Sequence, residues 1–168
     1  MVPYCSFSTN IMYKLGAIGG LKRIPTLIKT SQGNKGLAIL GEKISDNMIA
    51  RQRLSKLIWF TYREKLKIAE DINSDVGWGC LPRVGQMVLA QALVRHFIGK
   101  GEALNIKQYF RIIEPFLDSI EENSNYSLSM ILKYARWKYS ISPGDWFNIE
   151  QLSDVLRKIQ DEIPLVGS

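Results

Sequence analysis

Histidine and cysteine are scarce in this 168-residue chain, which has one histidine, His96, and two cysteines, Cys5 and Cys80. Two cysteines cannot build a disulfide framework. Two cysteines and one histidine also fall short of a four-ligand Cys/His zinc site, so neither a metal nor a cofactor is expected. No stretch of about 18 consecutive apolar residues occurs, which argues against a membrane-spanning helix and integral membrane association. No cleavable apolar signal is visible either, and with so few cysteines this points to a reducing, cytoplasmic location. Internal repeats and low-complexity segments are absent.

Acidic residues are missing from one region only. Residues 1–41 carry Lys14, Lys22, Arg23, Lys29 and Lys35 and no Asp or Glu, although the whole chain balances 22 basic against 16 acidic residues for a net charge of +6. The charge excess therefore sits in the N-terminal lead, and the rest is close to neutral. A nucleic-acid-binding domain should carry its excess on the folded surface, so this distribution disfavours nucleic acid as a partner. Residues 1–36 read as a basic, mobile extension with one short element near Ile24–Ile28, and residues 37–168 as the folded domain.

Leu37 to Ile44 is a short apolar run that reads as a strand. Ser45 or Asp46 is a candidate N-cap for a helix through Met48, Ile49, Leu54, Leu57 and Ile58 that runs into Trp59-Phe60. Residues 64–79 are polar, end in two glycines and read as loop. From Leu81 the pattern turns helical. Pro82 suits a first turn, and Val84, Met87, Val88, Gln91, Val94 and Ile98 follow helical spacing with further apolar residues between them. So much apolar circumference predicts a central, buried helix, ended by Gly99 and Gly101. Two more helices are predicted near 105–118 and 127–138, separated by the polar turn Glu121 to Asn125. Ser142-Pro143-Gly144-Asp145 reads as a turn, and Asn148 as the cap of a last helix.

The junction between glycine-rich loop and helix places Cys80 where a thiol is most readily activated. A nucleophilic cysteine must be partly thiolate, and a helix N-terminus supplies unpaired N–H groups and a positive dipole end. Gly77 and Gly79 permit the close backbone approach that a substrate-binding loop needs. The Cys80 backbone N–H would point toward a developing oxyanion. By periodicity alone the commoner reading of a lone cysteine beside apolar residues is a small buried hydrophobe.

Four blocks carry a resemblance that favours the nucleophile. Trp59-Phe60-Thr61-Tyr62-Arg63, Ser74-Asp75-Val76-Gly77-Trp78-Gly79-Cys80, Arg83 with Gln86 to Leu93, and Pro143-Gly144-Asp145-Trp146-Phe147 together resemble the autophagins over roughly residues 37–160. These are papain-like cysteine proteases that trim the C-terminus of the ubiquitin-like autophagy modifier and release it from lipid. The resemblance implies an α+β papain-like fold, of which this chain holds mostly the helical half with little sheet. It implies that Cys80 is the nucleophile and that the Tyr62 hydroxyl assists the oxyanion hole. It also implies that Trp146, with Gly79 and Trp78, contacts the substrate, and that the partner is the modifier, free or lipid-conjugated. For Tyr62 and Trp146 a packing role is the alternative. Two departures stand out. Leu81-Pro82-Arg83 replaces the family's Met-Leu-Arg, and Asn148-Ile149 replaces its Gly-Pro, which bears on the shape of the substrate channel.

A general base is not found near Cys80. His96 lies 16 residues further along one predicted helix, about 24 Å away at 1.5 Å per residue, so it cannot accept the thiol proton. The autophagins' Asp-Pro-His motif does not occur. The chain is therefore expected to be a truncated N-terminal half without efficient proteolysis. A catalytically inactive homologue that only binds the modifier is the alternative.

Overall fold

A computed structural model describes residues 37–69, 72–99, 105–118 and 124–164. The short element expected near Ile24–Ile28, Cys5 and the rest of the basic extension lie outside the described residues. Contacts divide the chain into two compact units, Met1–Thr61 and Tyr62–Ser168.

In the first unit, the run expected as one strand is a hairpin, β1 (Leu37–Ile39) and β2 (Glu42–Ile44). They pair antiparallel with Leu37 opposite Ile44 and Ile39 opposite Glu42. The two-residue turn has Leu40 at φ 50° and Gly41 at φ 85°, the doubly positive conformation whose twist matches the strands it joins. Gly41 takes it freely and Leu40 under steric cost. Helix α1 spans Asn47–Ser55, and Asp46 caps it by accepting from the backbone N–H groups of Met48 and Ile49. Ile39, Ile44 and Ala50 form the buried centre, with Leu37, Leu54 and Leu57 against it. The helix does not continue to Trp59-Phe60 as expected. The Leu57 N–H and the Trp59 indole N–H, at 3.2 and 3.0 Å, both donate to the Leu54 carbonyl that residue 58 would need.

The second unit opens with another hairpin, β3 (Glu64–Ala69) and β4 (Ile72–Ser74), where sequence reading expects only loop. Its register is irregular between Glu64↔Ser74 and Ala69↔Ile72. Lys65-Leu66-Lys67-Ile68 alternates polar and apolar residues with the period of a strand, and the dense charge around it masks that signal. Helix α2 (Cys80–Phe97) follows, then α3 (Ile106–Ile113), a 3-10 turn at Glu114–Phe116, α4 (Leu128–Tyr139) and α5 (Ile149–Glu162). Helices α3 and α5 begin with capping boxes, Asn105 with Gln108 and Asn148 with Gln151. Each box satisfies two of the backbone N–H groups left over at a helix start.

Helix α2 packs on α5, α3 and α4, and α4 packs on α5. Ala90, Leu93, Ile113, Phe116, Tyr126, Leu128, Ile131, Ala135, Leu152, Val155 and Ile159 make the core. At the α2–α5 crossing a Cβ on Gly85 would sit 2.8 Å from a methyl of Leu152, so the missing side chain allows the close approach. The expectation of a helix buried all round is corrected here, because Val84, Val88 and Phe97 are 45%, 65% and 53% exposed. The buried stripe of α2 runs through Arg83, Gln86, Ala90, Leu93 and Val94, and its first half is polar. The expected α+β class, mainly helical with little sheet, is what these units show. Among the described residues no helix is long and apolar enough to cross a membrane.

Candidate active site

Cys80 is the first residue of α2, partly exposed and free of any disulfide. The segment before it is built around Asp75, which is completely buried. Its carbonyl accepts the Gly79 N–H at 2.8 Å and closes the turn 75–79. Gly77 lies inside that turn at φ 93°, a left-handed conformation. The first hydrogen bond of the helix ladder, from the Arg83 N–H to the Gly79 carbonyl at 3.1 Å, begins one turn later. The amides of Cys80 and Leu81 precede it, and Pro82 has none to offer. Cys80 therefore stands at the positive end of an 18-residue helix, beside amides that the ladder does not consume.

The Asp75 carboxylate does more than cap a turn. Its Oδ1 accepts the backbone N–H of Arg63, and its Oδ2 accepts Arg83 Nε at 2.6 Å. Arg83, only 2% exposed, spreads its remaining nitrogens to Gln86 Oε1 at 3.0 Å and Asp118 Oδ2 at 2.7 Å. Gln86 passes the chain of bonds to the Tyr126 carbonyl at 2.7 Å, and Asp118 Oδ1 accepts the Leu128 N–H at 2.9 Å. Arg63 Nε lies 3.7 Å from Asp118 Oδ2. Two arginines and two aspartates thus share one buried, charge-balanced cluster under the start of α2. Burial pushes the Arg63 guanidinium below the ordinary arginine value, and Asp118 pulls it back up.

The residues expected to act on substrate occupy different settings. Gly79 is buried, and a Cβ there would lie 2.7 Å from Asp75 Cβ and 2.9 Å from its carbonyl oxygen. The glycine thus makes room for Asp75. Trp78 is buried too, its indole N–H donating to the Ser74 carbonyl at 2.9 Å. Tyr62 is 41% exposed and directly precedes Arg63, whose backbone is bonded to Asp75. Trp146 is 71% exposed on the α4–α5 connection, next to buried Phe147. An open cleft of about 450 Å³ is lined by Leu81, Phe147, Asn148, Ile149 and Glu150. Its walls thus include the chain neighbours of both Cys80 and Trp146. His96 sits exposed near the far end of α2, edge-on to Phe97 at 4.9 Å between ring centroids. That position excludes it as the base for Cys80, as expected from helix rise.

Sequence reading assigns no role to Asp75, Arg83, Gln86 or Asp118, although a signal was present. Arg83 and Gln86, three apart on an otherwise apolar helix, mark one face of α2 as a polar seam that must find buried partners. Among the described residues no group of three or more His, Cys, Asp and Glu could hold a metal ion.

Residues 47–164 match the family model of the peptidase C54 catalytic domain. The chain belongs to the peptidase C54 family. Cysteine protease ATG4A of Homo sapiens and of Bos taurus are each 34% identical to it over 113 residues, 63% of this chain and 28% of theirs. Cysteine protease ATG4B of Xenopus laevis is 33% identical over 132 residues, 72% of this chain and 33% of its own. The chain therefore spans about a third or less of the length of these curated relatives. The C54 match begins at the first residue of α1 and takes in the Asp75 cluster, Cys80 and the cleft.

Proposed function

We propose that this chain carries the nucleophile of a cysteine endopeptidase of autophagy, which cleaves after the C-terminal glycine of the ubiquitin-like autophagy modifier. The observation that carries the proposal is the placing of Cys80 at the open N-terminus of α2, immediately after the turn that the buried Asp75 closes, within a C54 domain match. The names of the relatives support the thiol chemistry, since each is a cysteine protease.

In this reading the Cys80 thiolate attacks the carbonyl carbon of the terminal glycine. The carbonyl electrons move onto oxygen, where the Cys80 N–H and the Tyr62 hydroxyl stabilise them. Collapse breaks the C–N bond and expels the amine of the following residue or lipid, which takes the proton that the thiol lost on ionising, and leaves a thioester. Water then adds its hydroxyl to the acyl carbon and its proton to the departing sulfur, and the acid released gives its proton to solvent. Trp146, Trp78 and Gly79 border the substrate, and the cleft beside Leu81 and Phe147 receives the segment ahead of the glycine. Both precursor trimming and release from lipid follow from this one step, in the cytoplasm and without a cofactor. Residues 37–168 are then part of a papain-like protease domain, and residues 1–36 a basic extension.

A second reading starts from the exposed place of His96 at the far end of α2, where it cannot serve Cys80. In that reading the chain is an inactive homologue that binds the modifier through the same cleft. In the full-length protein, Cys80→Ala should abolish cleavage after the modifier's glycine and leave binding intact. Cleavage at the normal rate in that variant refutes the proposal. Binding without any cleavage by the unaltered protein decides for the second reading.

A further inference from the structure

The buried cluster ties together two pieces of chain that the proposed chemistry needs at a fixed spacing. Asp75 sits between them. On one side its Oδ1 holds the Arg63 N–H, and its own N–H donates to the Arg63 carbonyl at 3.3 Å. Ser74 Oγ adds a third bond, to the same carbonyl at 3.0 Å. On the other side the Asp75 carbonyl holds Gly79, and its Oδ2 holds Arg83, which lies one turn into α2. The residue next to the first anchor is Tyr62, and Cys80 is the first of the three residues between the two anchors on the other side. A Cβ at position 79 would press on Asp75 from 2.7 Å, so the contact leaves no slack.

We infer that Asp75, which is 0% exposed, is a positioning residue that fixes the Tyr62–Arg63 segment against the Cys80 turn. Resting on the peptidase reading above, this lets the Tyr62 hydroxyl and the Cys80 amide meet one oxyanion. The carboxylate oxygens are engaged by the Arg63 N–H and Arg83 Nε. Asp75 acts through Arg63 on one donor and through Gly79 and Arg83 on the other. Arg83 is the second member of this device, because it joins Asp75 to Asp118 and Gln86 and so anchors the turn to the helical core. A displacement of about 1 Å between reacting groups can cost on the order of 10²-fold in rate, which is the size of effect such a clamp controls.

The test uses the full-length protein and cleavage of the modifier precursor, with rates normalised to folded enzyme by counting alkylatable Cys80. Asp75→Asn keeps the shape but turns a donor toward Arg83 Nε. It should lower kcat by about 10²-fold with KM little changed. Tyr62→Phe should cost about 10²-fold as well, by losing one oxyanion donor. The decisive readout is the double variant. If Asp75 works by aiming Tyr62, Asp75→Asn with Tyr62→Phe loses little more than either alone. Losses that multiply to about 10⁴-fold, or an unchanged kcat in Asp75→Asn, overturn the inference. Should Asp75→Asn fail to fold, Arg83→Lys gives the same comparison with the charge retained, and the same two outcomes decide. Cys80→Ala runs alongside: if it still cleaves, or the unaltered protein does not, the peptidase reading falls. If only the cycle is additive, that reading stands and the positioning role alone is lost.

Discussion

Replacing Arg83 by Met should be among the most damaging single changes available in the second unit. Methionine roughly fills the space of the arginine stem but offers nothing to three groups. Asp75 Oδ2 loses a partner at 2.6 Å, Asp118 Oδ2 one at 2.7 Å, and Gln86 Oε1 one at 3.0 Å. Asp75 and Asp118 are 0% and 5% exposed, so water cannot replace the guanidinium. Breaking a buried pair by removing one partner costs about 3–5 kcal/mol, because the remaining charge keeps its desolvation penalty. Some bonds survive: Asp118 keeps the Leu128 N–H and Asp75 keeps the Arg63 N–H. The expected loss is therefore near the lower end, about 3 kcal/mol. With a urea slope of about 1–2 kcal/mol/M for a domain of this size, the midpoint should fall by about 2 M. Unfolding followed through tryptophan fluorescence, to which the buried Trp78 of the 75–79 turn contributes, reads this. A double-mutant cycle with Asp75→Leu should then show strong coupling, since removing both charges leaves less uncompensated. A midpoint shift under about 0.5 M would refute the reasoning and mean that water or rearrangement replaces the arginine.

Three further outcomes follow from particular contacts. Gly79→Ala and Gly85→Ala should diverge: the first drives a Cβ into the clamped Asp75 and should cost about 1–3 kcal/mol. The second meets leucine side-chain ends, a Leu152 methyl at 2.8 Å, a Leu156 methyl at 3.2 Å and Leu152 Cγ at 3.4 Å. The helix propensity gained offsets that crowding, so thermal melting should show a change under about 1 kcal/mol. Tyr126, fully buried with its hydroxyl donating to Gln160 Oε1, has its phenol pushed up to about 12 by burial and secondarily by Asp161. Its raised value makes a stability contribution that is complete below about pH 10 and lost as pH rises toward 12, so Tyr126→Phe should flatten alkaline unfolding over that window. Leu40→Asn should stabilise the first hairpin by about 1 kcal/mol, because asparagine tolerates the φ of 50° that leucine adopts there; an unchanged melting temperature would count against it.

How much of this was legible in the sequence depended on whether a feature is local. Caps and turns are written in a few adjacent residues, and Asp46 and Asn148 cap where the sequence reads them. The end of α1 was not legible, because it depends on the Trp59 indole folding back onto the Leu54 carbonyl five residues away. The buried face of α2 was misjudged for a related reason. Hydrophobicity points to Val84 and Val88, whereas the fold buries Arg83 and Gln86, whose partners Asp118 and the Tyr126 carbonyl lie 35 and 40 residues further on. A polar residue turns inward only when distant partners complete it, and a periodicity that scores residues one at a time cannot contain that information. The same logic separates the two halves of the site. Cys80 was legible because a thiol at a loop-to-helix junction is a local pattern with a chemical meaning. Asp75, five residues earlier, looked like an ordinary loop aspartate, and its importance comes from two oxygens that hold the Arg63 backbone N–H before the turn and Arg83 Nε after it.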